Sequence, residues 1–173
     1  MSYAPHRGYS VRSLTADDIE DVFTVREAIE VLAVRLAAER ADEPMVTELD
    51  DLLARAGVAV RKKDFETLHE LDMEFHRALY RASGNALLVR IAELIHGQMH
   101  LLVAKAVYTP GRFRGAHEEH EQVVHYIRER KLEAAEDAMR THIRAAKHAL
   151  LDAARAGSPA QPAAASKGAA RQP

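Results

Sequence analysis

Residues 64–85 read DFETLHELDMEFHRALYRASGN. Phe65, Leu68, Phe75 and Leu79 recur at the three- and four-residue spacing that places side chains on one face of a helix. Asp64 stands where a helix cap belongs, and Ser83-Gly84-Asn85 supplies residues suited to a helix C-terminus. Inside that apolar stripe sit Asp72 and His76, one turn apart and separated by about 40° around the axis. A carboxylate and an imidazole buried without partners would cost several kcal/mol. The stretch therefore predicts a helix that carries two polar groups into an interior where something pairs with them.

The flanking sequence extends this pattern. Residues 1–14 show no helical period, contain Pro5 and Gly8, and read as an extended lead-in. Thr15 with Asp18 forms a capping-box-like start. Val22, Val25, Ile29, Leu32 and Leu36 then mark an amphipathic helix ending near Arg40. Asp42 caps a second helix, with Pro44 tolerated in its first turn and a stripe of Leu49, Leu52, Leu53, Ala56 and Val60. A fourth helix is expected from about Ala86 to Val107, apolar on more than one side as an enclosed helix would be. The Thr109-Pro110-Gly111 break precedes a fifth helix, roughly Phe113 to Glu129, and a sixth runs from Leu132 to about Ala154. Residues 157–173, GSPAQPAAASKGAARQP, have the composition of a disordered tail. No β-strand and no internal repeat is expected.

Two further histidines repeat the anomaly of His76. His120, in HEEHEQVV, shares a helix face with Val124 and Ile127. His142, in MRTHI, shares one with Ala135, Ala138, Ala146 and Ala149, small residues that leave room beside the ring. Asp72, His76, His120 and His142 thus converge from three helices. Helix bundles build metal sites in this way, from carboxylates and imidazoles on facing helices. Three imidazoles and a carboxylate suit Zn²⁺, Ni²⁺, Fe²⁺ or Mn²⁺, and ligand type does not choose among them. Taken singly, each histidine reads as a hydrogen-bonded core residue; together they read as a site.

The remaining candidates are less directed. His96 and His100 lie off the strongest apolar arc of their helix, His69 borders the pocket-facing stripe, and His117, His125 and His148 read as solvated. Glu74 points away from Asp72 and His76. Arg26, at the edge of the first helix's stripe, reads equally as a packed stem paired with Glu30 or solvent, and as a carboxylate-binding guanidinium at a pocket rim. Arg61-Lys62-Lys63 reads as a solvated helix C-terminus.

Composition narrows the function classes. The 173 residues include 10 His, no Cys and no Trp, with 47% hydrophobic and 29% charged residues and a formal net charge of −2. Abundant Ala, Leu, Glu and Arg with few aromatics favour helix over sheet. Disulfides and thiolate metal sites are excluded, and no global basic footprint for nucleic acid is present. No apolar run reaches the ~20 residues that span a bilayer, and no signal-peptide core is seen. A cytoplasmic helical protein without a membrane role is the expectation.

Three segments resemble the FCD domain, the effector-sensing C-terminal domain of FadR-type GntR-family bacterial transcription regulators. They are FTVREAIEVLAVRLAAERA (23–41), LDMEFHRALYRASGNALL (71–88) and HEEHEQVVHYIRERKLEAAEDAMRTHI (117–143). The resemblance covers roughly Asp18 to Ala154. It implies an all-α, antiparallel bundle of six to seven helices enclosing a metal or ligand cavity. It also implies a divalent ion, zinc or nickel foremost and iron or manganese as alternatives, held by Asp72, His76, His120 and His142. A small carboxylate effector would bind there, with Arg26 and polar groups near Asn85 as its helpers. Ala86, where Pro often follows the Asn, and Arg130-Lys131, where Gly-Asp is common, depart from the family pattern away from the pocket.

On this reading residues 1–14 are the remnant of a wing and linker, 15–156 the effector-binding helical domain, and 157–173 a disordered tail. APHRGYSVRSLT (4–15) resembles the end of a winged helix-turn-helix and the linker after it. DNA would be contacted only through that missing domain, and the domain itself would form a homodimer. No catalytic residue is assigned. The competing expectations are a metal-dependent hydrolase or lyase on a helical scaffold, and a purely structural interaction bundle.

Overall fold

The computed structural model describes residues 2–3, 9–10, 15–95 and 112–155. Among these residues the protein is an all-α bundle of six helical segments: α1 (Ala16–Arg40), α2 (Glu43–Lys62), α3 (Phe65–Ala82), α4 (86–95), α5 (Arg112–Arg128) and α6 (Leu132–Arg155). The later part of the fourth helix expected from sequence, His96 and His100 with it, lies outside the described residues, as does the tail. One expectation fails at the N-terminus. Ser2–Tyr3 and Tyr9–Ser10, termed β1 and β2, pair antiparallel, with Ser2 opposite Ser10 and Tyr3 opposite Tyr9. Two-residue strands are too short to leave a period-two signature, which is why the sequence reading found none.

Local chemistry sets the helix ends. At α1 the Thr15 hydroxyl accepts from the Asp18 backbone N–H, while the Asp18 carboxylate accepts from the Thr15 N–H. This reciprocal pair satisfies two of the backbone donors that a helix start leaves open. Asp42 caps α2 through the Met45 N–H, and Asp64 caps α3 through the Thr67 N–H. α3 stops at Ser83 followed by Gly84, whose φ of 62° is the left-handed conformation that costs glycine least. Arg130, between α5 and α6, adopts a φ of 53° despite its side chain. Its guanidinium reaches the carbonyl oxygens of Glu39 and Ala41 at the end of α1.

Cross-helix pairs give the helix directions. Lys147 meets Glu20, Arg144 meets Glu27 and Glu136 meets Arg35, so α1 and α6 run antiparallel along much of their length. α5 returns against α6, and α3 runs parallel to α1, with Tyr80 beside Glu30 and His76 beside both Arg26 and Glu30. The core between them is filled by Phe23, Leu49, Phe75, Leu79, Ile127, Met139, Ile143 and Leu150. Each fully buried side chain of this kind contributes about 1.5–3 kcal/mol.

Two faces differ from the sequence expectation. The buried side of α1 is Ile19, Phe23, Arg26, Glu30, Ala33, Val34 and Ala37, whereas Val25 and Leu32 are 47% and 44% exposed. Sequence periodicity selected the more hydrophobic stripe, while the bundle buries the one with small residues and a charged pair. Likewise α4 is not enclosed over its described part. Leu88 and Ala92 pack with Ala33 and Tyr80, while Leu87, Ile91 and Leu94 face outward, Leu94 with 79% of its surface exposed.

Candidate metal and effector site

α3, α5 and α6 bring Asp72, His76, His120 and His142 together at the centre of the bundle. One ligand atom from each lies within 4.8 Å of all the others. The three histidines are buried and Asp72 is partly so. His120 Nε2 sits 3.2 Å from His142 Nε2 and 3.8 Å from Asp72 Oδ1. The Phe75 ring stacks on His120 with centroids 4.1 Å apart, fixing the plane of the imidazole.

Outer carboxylates orient two of these rings. His76 Nδ1 lies 2.5 Å from Glu30 Oε2, and Arg26 Nη2 lies 2.9 Å from His76 Nε2. A guanidinium can only donate, so Nε2 accepts and Nδ1 carries the proton facing Glu30. His142 Nδ1 lies 2.8 Å from Glu119 Oε2 and 3.3 Å from Arg112 Nη2, while its Nε2 faces His120. A carboxylate behind an imidazole fixes the tautomer and raises the basicity of the inward nitrogen, as in metal-ligating histidines.

Burial and its compensation differ between the two carboxylates. Glu30 is 1% exposed and accepts from Arg26 Nε and the Tyr80 hydroxyl, at 2.5 and 2.9 Å. Burial alone would raise its pKa, but Arg26 and His76 outweigh it and hold the carboxyl well below the usual range. Burial and the Glu30 charge together push Tyr80 well above its usual value. Glu119 is bound by Arg112 through two hydrogen bonds, at 2.9 and 2.8 Å. Burial still leaves its pKa raised, with Arg112 opposing.

His76 Nε2 is engaged by Arg26, and the other two imidazoles face one another. Burial, then the nearby His142 and His76, hold the His120 pKa well below its usual value. For His142 the causes are burial, then His76 and Arg26. Both are neutral at neutral pH, and in the Nε2–Nε2 contact between them one nitrogen donates to the other, so an ion bound there would take the place of that shared proton. Ligands about 2.1 Å from a shared ion lie at most ~4.2 Å apart, so a 4.8 Å cluster needs only sub-ångström movement to contract onto one. The donor set and spacing fit a divalent ion.

A cavity of about 50 Å³ opens beside this cluster. Arg26, Asp72, Arg112, His117, His120 and His142 form its polar lining, and Phe23, Leu52, Leu53, Ala56, Leu68, Leu71, Phe75, Phe113, Ala116 and Ala146 the rest. Arg26 therefore both pairs with Glu30 and borders the cavity. Asn85 does not join these residues. Its side-chain oxygen accepts from the Leu87 and Leu88 N–H groups at 3.1 Å, capping α4, and it is absent from the cavity lining.

His117 departs from the solvated position expected of it: it lines the cavity, packed so closely on α2 that a Cβ at Gly57 would lie 3.2 Å from its Nε2. His125 and His148 are exposed as expected, and Glu74 turns outward to Arg81. The residues that sequence reasoning missed are Glu119, Arg112 and Tyr80. Adjacency to His120 was the available signal for Glu119; Arg112 and Tyr80 had none, the first lying beside a Pro-Gly break.

Similarity to known proteins agrees with this geometry. The HTH-type transcriptional regulator YdhC of Bacillus subtilis (strain 168) is 27% identical over 136 residues, covering 78% of this chain and 61% of that protein. This chain thus spans less than two thirds of that relative. The structure of Streptococcus agalactiae GntR matches with 28% identity and a TM-score of 0.66, over 75% of this chain and 58% of that one. The metal-free FCD domain of the regulator TM0439 matches in fold, with a TM-score of 0.69 at 17% identity, over 84% of this chain and 99% of that one. Among the described residues no helix is long and apolar enough to cross a membrane. The FCD domain profile matches residues 21–145, well over half of the sequence, and the chain belongs to the FCD domain family.

Proposed function

We propose that this chain is the metal-dependent sensing and dimerisation domain of a GntR/FadR-type transcription regulator. Asp72, His76, His120 and His142 hold a divalent ion, zinc or nickel before iron or manganese, and a small carboxylate effector binds beside it. The observation that carries the reading is the double pairing of Glu30 with His76 and Glu119 with His142, behind a cluster whose donor atoms converge within 4.8 Å. The ion supplies an electrophilic anchor for the effector carboxylate, and Arg26 supplies a guanidinium from the cavity wall.

Sensing is favoured over turnover because Glu30 and Glu119 are each committed to an imidazole and a guanidinium. Neither is placed to act as a free general base. The outward apolar residues of α1 and α4, Val25, Leu32, Leu87, Ile91 and Leu94, offer the surface on which a second copy would pair. An effector with different affinity for two arrangements of such a dimer would shift their populations and so the placement of attached DNA-reading domains.

Elemental analysis of the purified chain, with melting curves before and after chelator, tests the proposal. One ion per chain and a chelator-dependent fall in melting temperature are expected, because an ion bound to the folded state stabilises it. His142→Ala should lose the ion and His125→Ala should keep it. Equal retention in the two variants would remove the site.

A further inference from the structure

The cavity wall contains a polar atom that the metal cluster does not use. His117 stands one helical turn before His120 on α5, so the two rings share a face of that helix, and both line the cavity. The His117 ring is held along one edge. A Cβ on Gly57 of α2 would lie 3.2 Å from its Nε2 and 3.5 Å from its Cε1, and Glu121 Oε1 lies 3.4 Å from the same Nε2. Only 13% of the side chain is exposed. Its Nδ1 is buried and has no hydrogen-bond partner among the described residues.

The chemistry of that atom follows from its neighbours. A carboxylate can only accept, so Glu121 favours the ring with its proton on Nε2 and a lone pair on Nδ1. A buried acceptor that stays unpaired loses its hydration with nothing in return, and folded proteins keep few of them. The apolar part of the wall offers no remedy, because Leu52, Leu53, Ala56, Leu68, Phe113 and Ala116 carry no side-chain donor. The lone pair is thus open to a donor that a ligand brings with it.

Size limits that ligand. The space measures about 50 Å³, and one water needs roughly 10–15 Å³ on the same measure, so it admits about three to five water-sized groups. A carboxylate and a donor must then sit close together on a very short chain. A hydroxyl suits better than an ammonium, because it is neutral and strands no charge among apolar side chains.

Resting on the metal-and-carboxylate reading above, we propose that His117 selects the effector: its Nδ1 accepts a hydrogen bond from the hydroxyl of a small hydroxycarboxylate, and acids of equal size with a methyl in that place are discriminated against. A methyl would cover the lone pair and leave it unpaired, the situation in which a site rejects an analogue most strongly.

Isothermal titration of the zinc-loaded chain with glycolate and propionate tests this. The two acids have equal numbers of non-hydrogen atoms and differ by a hydroxyl for a methyl. Glycolate is expected to bind about tenfold or more tighter. The ratio of the two affinities is the readout, since the contacts of the carboxylate itself cancel from it. His117→Phe keeps a ring but removes Nδ1, and should bring the ratio to about one or below, because the methyl then meets an apolar wall. His117→Leu takes its place should the larger ring crowd Gly57. His117→Asn, whose amide oxygen can stand near the position of Nδ1, should restore part of the preference. A glycolate preference that persists in both His117→Phe and His117→Leu would place the hydroxyl on the ion and overturn the role of His117, with carboxylate sensing left standing. Equal binding of the two acids by the unaltered chain would do the same. Binding of neither acid to a chain that holds its zinc would overturn the carboxylate reading as well.

Discussion

The site contains the same chemical unit twice, a carboxylate behind an imidazole and beside a guanidinium, in two different environments. Glu30, His76 and Arg26 are almost wholly withdrawn from solvent and are joined by the Tyr80 hydroxyl. Glu119, His142 and Arg112 sit at the edge, where a quarter of the Glu119 side chain is exposed. The inner carboxyl is held below its usual pKa and the outer one is raised. With three partners, Glu30 is compensated beyond its desolvation. Glu119 is not. The inner unit therefore contributes to holding α1 against α3, and the outer one chiefly to setting the direction of one ring.

The largest expected effect breaks the inner unit. Glu30→Ala leaves the Arg26 charge buried without a partner and should cost about 3–5 kcal/mol of unfolding free energy, read from urea denaturation. A loss below about 1 kcal/mol would mean that Arg26 escapes to solvent and that the inner unit carries no special weight. Tyr80→Phe removes one hydrogen bond to a charged acceptor and should cost about 1.5–3 kcal/mol by the same measurement.

The outer unit should respond in the opposite sense. Glu119→Gln is expected to change folding stability by about 1 kcal/mol or less but to weaken zinc binding roughly 10–100-fold in a chelator competition, because the His142 ring loses its anchor. Loss of stability without loss of zinc affinity would reverse the roles assigned to the two carboxylates. The smallest effect belongs to a carboxylate outside both units. The Thr67 side chain and backbone hold the Asp64 cap below its usual value of 3.8. A lowered folded pKa means that its stabilising contribution is complete above that value and fades as pH falls through it. Asp64→Asn, itself a good cap, should leave the neutral-pH melting temperature nearly unchanged and flatten only the acid limb of a stability–pH curve.

Much of this was legible in the sequence because the determinants are local. Thr15, Asp42 and Asp64 each cap the helix expected of them, since a cap is decided within three residues. Asp72, His76, His120 and His142 stood out because each interrupts an apolar stripe, and the folded helices bring them together. Arg26 and Glu30 show where such reading stops. They lie on the face of α1 that periodicity ranked lower, and their burial depends on Tyr80 and His76, some 50 residues away. Arg112 meets Glu119 along its own helix, but it needed the hairpin of α5 on α6 before it could meet His142. His117 looked solvated because a glycine on a different helix, Gly57, is what admits its ring. The outward face of α4 was misjudged because apolar content reports the wish to be covered, without saying by which chain.

The pairing of α1 with α6 has a consequence for how the domain comes into being. Its ion pairs join residues separated by 101, 117 and 127 positions, so α1 waits for α6. Asp72, His76 and His120 are synthesised well before α6, whereas His142 arrives on it. Long sequence separation slows the closing step of folding. A chain still emerging from the ribosome therefore holds an incomplete set of donors until α6 docks along α1, and a completed site marks a closed bundle.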